Sequence, residues 1–313
     1  MEIYFVRRVH MRFEAKNIEK SFGEKQVLKG VSLQARSGRA LGLLGRNGAG
    51  KTTTIRIIMG VFPPDGGEVL VDGAPIRRRE VNIGYLPEEH GLYPKKVILE
   101  QLVYLGELRG MGARDAKKSS LKWLDRLGMG EYAGKKLDTL SKGNQQKIQL
   151  AAALITEPDF LILDEPFSGL DPVNAMVLKD VVQEMIAGGR LVLFSSHQMN
   201  YVEEFCDSIA ILNQGRIVLS GGIREIKRSY DRDRLVVSSA DNGRIAGFCR
   251  EKLGDLVAQV SETEGELTVK MKSPDCKNRL LTALAGQNFD LDCVRVYEPT
   301  LNDIFVEYTE DGI

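Results

Sequence analysis

Eight consecutive residues, Gly45-Arg46-Asn47-Gly48-Ala49-Gly50-Lys51-Thr52, constrain this chain more than any other feature, because they fit G-x-x-x-x-G-K-[ST]. A short apolar strand is expected over 39–44 and a helix from Lys51 to about Met59. Strand, glycine loop and helix in that order make a phosphate cradle. Glycine lets the backbone wrap so closely that successive N–H groups point inward, and the helix N-terminus adds positive partial charge. Lys51 supplies a full charge, Thr52 can ligate Mg2+, and Thr53 completes the set expected to hold ATP.

A second apolar run, Phe160-Leu161-Ile162-Leu163, ends in the carboxylates Asp164 and Glu165. Acids at the carboxyl end of such a strand stand where open α/β sheets bind ligands. Asp164 would hold the metal through water, and Glu165 would orient or deprotonate the water that attacks the terminal phosphate. Alone, the segment also reads as a buried strand followed by a turn with solvated acids. Beside the phosphate loop it reads as the metal and water site.

Around these motifs strands and helices alternate. Strands are expected over 11–17, 27–35, 68–72, 82–86, 160–163 and 191–195, with helical periodicity over 97–127, 143–155 and 173–186. That alternation implies a parallel sheet covered by helices, with a helical insertion at about 90–156. From residue 230 the pattern changes. Strands over 234–239, 256–261, 266–272 and 289–297 interleave with helices over 243–253, 274–285 and 299–308, the last started by Pro299. The order β-α-β-β-α-β suggests a small ferredoxin-like domain over 230–313, following a nucleotide-binding domain over 11–229.

Composition removes several alternatives. Lys+Arg and Asp+Glu are equal at 43 each, so no basic excess marks a nucleic-acid binder. Cys206, Cys249, Cys276 and Cys293 show no paired spacing, and with only His10, His90 and His197 a Cys/His metal site is not expected. The apolar runs are strand-length, far short of the roughly 20 residues that span a bilayer. In the leader 1–10, Arg7 and Arg8 follow the apolar residues, the reverse of a secretory signal. Any service to a membrane would come from its cytoplasmic face.

Leu140-Ser141-Lys142-Gly143-Asn144-Gln145-Gln146 resembles the signature sequence of the ABC ATPase family, usually written LSGGQ, although Lys142 and Asn144 depart from it. Three further segments match that family in order: Ser168-Gly169-Leu170-Asp171 the D-loop, Ser195-Ser196-His197 the switch histidine, and Phe22 the aromatic that stacks on adenine. The resemblance spans about 11–229. It implies a P-loop NTPase core with antiparallel and helical subdomains, ATP and Mg2+ as ligands, and catalysis by Lys51, Glu165 and His197, the last at the γ-phosphate. It also implies that Ser141 and Gly143 contact ATP held by a second ATPase subunit in a head-to-tail pair. Where the family has its glutamine, this chain has Glu88, a charged candidate metal ligand. Glu88 is either a substitution tolerated in a mobile loop or a change that tunes the metal site.

The closing segment, Glu298-Pro299-Thr300-Leu301-Asn302-Asp303-Ile304-Phe305, resembles the C-terminal pattern of sodium- and drug-export ATPases. Those partner with a transmembrane permease on a separate chain. This implies an export subunit bound peripherally at the membrane, with the loop 88–93 and Leu92, Tyr93 and Val97 facing the permease. The alternative is a soluble ABC ATPase acting on DNA, ribosomes or cluster assembly. The domain over 230–313 is either regulatory or a passive cover. The leader 1–10 is expected to be dispensable, since Met11 stands where family members commonly begin.

Overall fold

The computed structural model describes residues 10–76, 80–89, 91–263 and 265–310. The expectation for the leader therefore lies, His10 apart, outside the described residues, as does His90. The chain divides into a larger unit that runs to Ile223 and resumes at Phe305, and a smaller unit, Arg224–Ile304.

In the larger unit, β1 (Arg12–Phe22) and β2 (Lys25–Arg36) form an antiparallel hairpin with Gly23 at φ 60° in the turn. Phe13, Ala15 and Ile18 face inward with Val31, Leu33 and Ala35, while most intervening side chains face outward. The alternation in the sequence ends at Asn17, yet the strand continues to Phe22. A register shift between Ala15 and Ile18, with Asn17 at φ 49°, breaks the alternation that would have revealed the continuation.

β3 (Ala40–Leu44) is buried throughout and leads through the glycine loop into α1 (Lys51–Ile58). β4 (Gly66–Val71) and β5 (Ala74–Pro75) complete a four-stranded sheet in the order β2-β1-β4-β5. After β6 (Ile83–Leu86) come α2 (Ile98–Leu108), α3 (Ala113–Arg126) and α4 (Lys142–Leu154). The periodicity over 97–127 is thus two helices, parted where Gly110 adopts φ 88°.

β7 (Phe160–Asp164), α5 (Pro172–Ala187) and β8 (Leu191–Ser195) follow. Next are α6 (Met199–Phe205), β9 (Ser208–Asn213) and β10 (Arg216–Gly222), three elements beyond the sequence expectations. The second sheet has the order β10-β9-β3-β8-β7-β6, parallel except for β10. β3, β7 and β8 are buried on both faces, as a covered parallel sheet requires.

The smaller unit contains α7 (Ile223–Ser229) from Arg224 onward, then β11 (Arg234–Ser239), α8 (Asn242–Lys252), β12 (Val257–Thr263) and β13 (Glu266–Met271). The helix expected over 274–285 opens as a 3-10 turn, Pro274–Cys276, before α9 (Lys277–Ala285), and β14 (Leu291–Val296) follows. All pairings are antiparallel in the order β12-β13-β11-β14, around a core that includes Leu235, Val237, Ile245, Leu267, Val269 and Leu280. This is the βαββαβ arrangement expected from the sequence.

The last helix, α10 (Leu301–Thr309), starts after Thr300 rather than at Pro299. Thr300 and Asp303 cap it reciprocally: Asp303 N donates to Thr300 Oγ1 at 3.1 Å and Thr300 N to Asp303 Oδ2 at 2.9 Å. Among the described residues, no helix is long and apolar enough to cross a membrane.

Candidate nucleotide site

The loop between β3 and α1 closes only through left-handed backbone, with Gly48 at φ 81° and Gly50 at φ 114°. A Cβ on Gly50 would stand 2.6 Å from Leu28 Cδ2, and one on Gly45 would stand 2.5 Å from Leu212 O. Gly45 and Ala49 are buried in the loop itself. The buried Lys51 folds its Nζ back over the loop to donate to Gly45 O at 2.6 Å. Above the loop opens a cavity of about 660 Å³, lined by Arg46, Asn47, Gly48, Gly50, Lys51, Thr52 and Thr53, and also by Glu88 and Glu165.

Asp164, the last residue of β7, is buried. Burial lifts its carboxyl above the ordinary range, Glu88 and Glu165 push it further, and Ser195 and Lys51 oppose them. The neighbouring Tyr85 hydroxyl is pushed up to about 12, first by burial and then by Asp164. Repulsion among acids around a buried carboxyl is what a bound cation relieves. Thr52 and Glu88 line the cavity, and Asp164, which does not, feels the Glu88 charge; all three carry oxygen donors of the kind Mg2+ takes.

Parallel pairing of β7 with β8 sets Asp164 beside Ser195, so the following residues also meet. Glu165, at φ 49°, donates its backbone N–H to Ser195 O at 2.8 Å. Its Oε2 accepts from Ser196 Oγ at 3.2 Å and from His197 N at 3.3 Å, and its Oε1 lies 2.9 Å from His197 Nδ1. His197 was expected at the γ-phosphate. Here its ring faces the Glu165 carboxylate, and it does not line the cavity.

Phe22 is half exposed and meets Phe62 edge-to-face with ring centroids 5.6 Å apart. It is not part of the cavity wall. Ser141 caps α4, its Oγ accepting from Asn144 N at 3.3 Å. Gly143 packs so tightly that a Cβ there would lie 2.5 Å from Asn174 Nδ2. Gln146, one turn on, donates to Pro166 O at 3.1 Å. Neither Ser141 nor Gly143 lines the cavity of its own chain.

Part of the wall carries no nucleotide-binding motif in the sequence: Lys25, Gln26, Val27 and Lys29 of β2, and Gln214 and Gly215 of the β9–β10 turn. Gly215 N donates to Ala49 O at 3.1 Å and Lys29 N to Gly215 O at 2.8 Å, which ties that turn to the phosphate loop and to β2. A Cβ added at Gly215 would lie 2.2 Å from Val27 O. The signal existed, since Gln214 at φ 47° and Gly215 at φ 80° form a two-residue hairpin turn favoured by glycine in second place.

Comparison with known proteins agrees with this geometry. Residues 28–168 match the family model described as ABC transporter. Residues 221–309 match the model described as ATP-binding protein DrrA1-3-like, C-terminal domain. The chain is 42% identical to the uncharacterized ABC transporter ATP-binding protein YhaQ of Bacillus subtilis, over 93% of this chain and 96% of that protein. It is 32% identical to the linearmycin resistance ATP-binding protein LnrL of the same organism, over 95% and 97% of the two chains. A solved ATP-binding subunit of an ABC transporter is similar with a TM-score of 0.64 and 30% identity, covering 69% of this chain and 92% of the other.

Proposed function

The chain belongs to the ABC transporter family of ATP-binding proteins, and from that premise we propose that it couples ATP hydrolysis to export through a transmembrane permease on a separate chain. The observation that carries the export reading is the second family match: the segment 221–309 resembles the C-terminal domain of DrrA1-3-like proteins, and a full-length relative is named for linearmycin resistance.

In this reading the backbone of residues 45–50 and Lys51 hold the β- and γ-phosphates, with Thr52 and Thr53 at the start of α1. Phe22 would offer its exposed ring to adenine. Thr52, Asp164 and Glu88 would hold Mg2+, which would supply charge neutralisation at the phosphates. Glu165 positions the attacking water and takes its proton. His197, which contacts Glu165, fixes the direction of that carboxylate. Ser141 and Gly143 serve the ATP of a second subunit in a head-to-tail pair; their absence from the cavity wall of their own chain supports this. Tyr93, Tyr104 and Leu108, large and exposed in the helical segment, suit a permease contact at the cytoplasmic face of the membrane. The smaller unit carries none of these phosphate-facing groups and would regulate or stabilise the pair.

The test is complementation. A strain lacking the gene should become sensitive to an exported toxic compound, and wild type but not Glu165→Gln should restore resistance. Full rescue by Glu165→Gln would refute coupling to hydrolysis.

A further inference from the structure

In the larger unit, three arginines line a separate cavity of about 240 Å³: Arg12, Arg36 and Arg39. Strand pairing brings them together. Arg12 stands directly opposite Arg36 in the β1–β2 register, and Arg39 N donates to Arg36 O at 3.2 Å across the turn that follows β2. Like charges directly opposite in a sheet repel, so the arrangement costs stability unless something neutralises it.

The neighbouring acids do so only in part. Glu14 pairs with Arg12 Nε at 2.8 Å but shares its carboxylate with Lys16 at 3.3 Å. Asp72 accepts from Arg12 N at 2.8 Å, and Asp207 from Ala40 N at 3.3 Å. Among the described residues, the guanidinium groups of Arg36 and Arg39 have no ion-pair partner, and no carboxylate lines the cavity.

A second cavity, of about 350 Å³, shares Gln34, Leu41 and Ser208 with the first. It is lined by uncharged residues, among them Ser32, Ser220 and Gly221. A cationic lobe therefore adjoins a neutral, hydroxyl-bearing one. Both lie by the amino ends of β3 and β9, whereas the phosphate loop follows the carboxyl end of β3.

We propose that this double cavity binds a phosphate group carried on a small uncharged polar body. The phosphate sits among Arg12, Arg36 and Arg39, and the body lies against Ser32, Gln34, Ser208 and Ser220. Guanidinium forks match phosphate oxygens in pairs, and the anion removes the repulsion between Arg12 and Arg36. Two sources share this chemistry: a soluble phosphate monoester and the headgroup of an acidic phospholipid.

The experiment uses the full chain saturated with MgADP, so that the phosphate loop is already filled. Glycerol phosphate is titrated in by calorimetry, and the protein is sedimented with phosphatidylglycerol or phosphatidylcholine vesicles. The expected result is binding to glycerol phosphate or to the acidic vesicles, weakened about tenfold or more in Arg36→Gln/Arg39→Gln as charge-assisted contacts are lost. Binding of free glycerol phosphate identifies a soluble ligand, and vesicle binding without it identifies a headgroup. MgADP affinity should not change in the variant. Arg36→Gln alone should raise the unfolding midpoint without anion and lose the further rise that glycerol phosphate gives wild type. If the double variant does not fold, Arg39→Gln, at an exposed turn position, serves the same comparison. The proposal is overturned if wild type binds neither probe, or if binding survives in the folded variants.

Discussion

Glu165→Gln separates the chemistry of this carboxylate from its structural work. Glu165 receives Ser196 Oγ and His197 N on one oxygen and faces His197 Nδ1 with the other. Glutamine can preserve that pattern, its carbonyl oxygen accepting the first two and its amide donating to a neutral imidazole. The loss to folding is then confined to the charge assistance of these bonds, about 1–2 kcal/mol. The loss to catalysis is larger. A positioned general base contributes roughly 10²–10⁴-fold, or about 3–6 kcal/mol of barrier. Phosphate release at saturating MgATP should therefore fall by about that factor, while equilibrium binding of ATP stays within about threefold, since the groups that hold phosphate are unchanged. Size-exclusion chromatography with ATP should show the variant held as a closed pair. Turnover within about tenfold of wild type, in a protein with a normal unfolding transition, would refute the role of Glu165 as base.

Further outcomes follow from the same geometry. Lys51→Ala removes the cation that now folds over Gly45 O, so nucleotide affinity itself should fall about tenfold or more, read by fluorescent-ATP titration. Ser141→Arg should abolish turnover and ATP-dependent pairing while the monomer's nucleotide affinity stays near normal; an equal loss of monomer affinity would place Ser141 in its own chain's site. Gly215→Val places a Cβ against Val27 O in a left-handed turn. Strain and overlap together should cost about 2–5 kcal/mol, visible as a lower denaturation midpoint together with weakened ATP binding. An unchanged midpoint would show that the turn relaxes without disturbing the phosphate loop.

The parts of the site that a sequence reveals are those whose chemistry is local. The phosphate loop announces itself because Gly48 and Gly50 are required by their own left-handed backbone, and β7 because a continuous apolar run must be buried on both faces. Asp164 and Glu165 follow at its end. The β9–β10 turn does not announce its role although residues 213–216 carry a hairpin signal, because its importance lies in contacts with Val27, Lys29 and Ala49, far away in the chain. The contact of Glu165 with His197 is likewise long-range, since it depends on the register of β7 against β8, which no short motif states. The far end of β1 is hidden for the opposite reason, a local irregularity at Asn17 that interrupts the pattern of a continuing strand.

The bond from Gln146 to Pro166 O joins the helix that begins at Ser141 to the residue immediately after Glu165. Asn174, packed against Gly143, steadies the same helix from the side of α5. In the proposed head-to-tail pair, Ser141 would answer to one ATP and Glu165 to the other, which would make each chain a short lever slung between two fuel molecules. Seating a nucleotide at one end should then bear on the Glu165 carboxylate at the other, through the Gln146–Pro166 bond. Such a pair should fire as a linked engine rather than as two independent cylinders, with an expected Hill coefficient for ATP above one in the turnover curve. Gln146→Ala, which unpins the lever, should bring that coefficient down towards one while both pockets still fill.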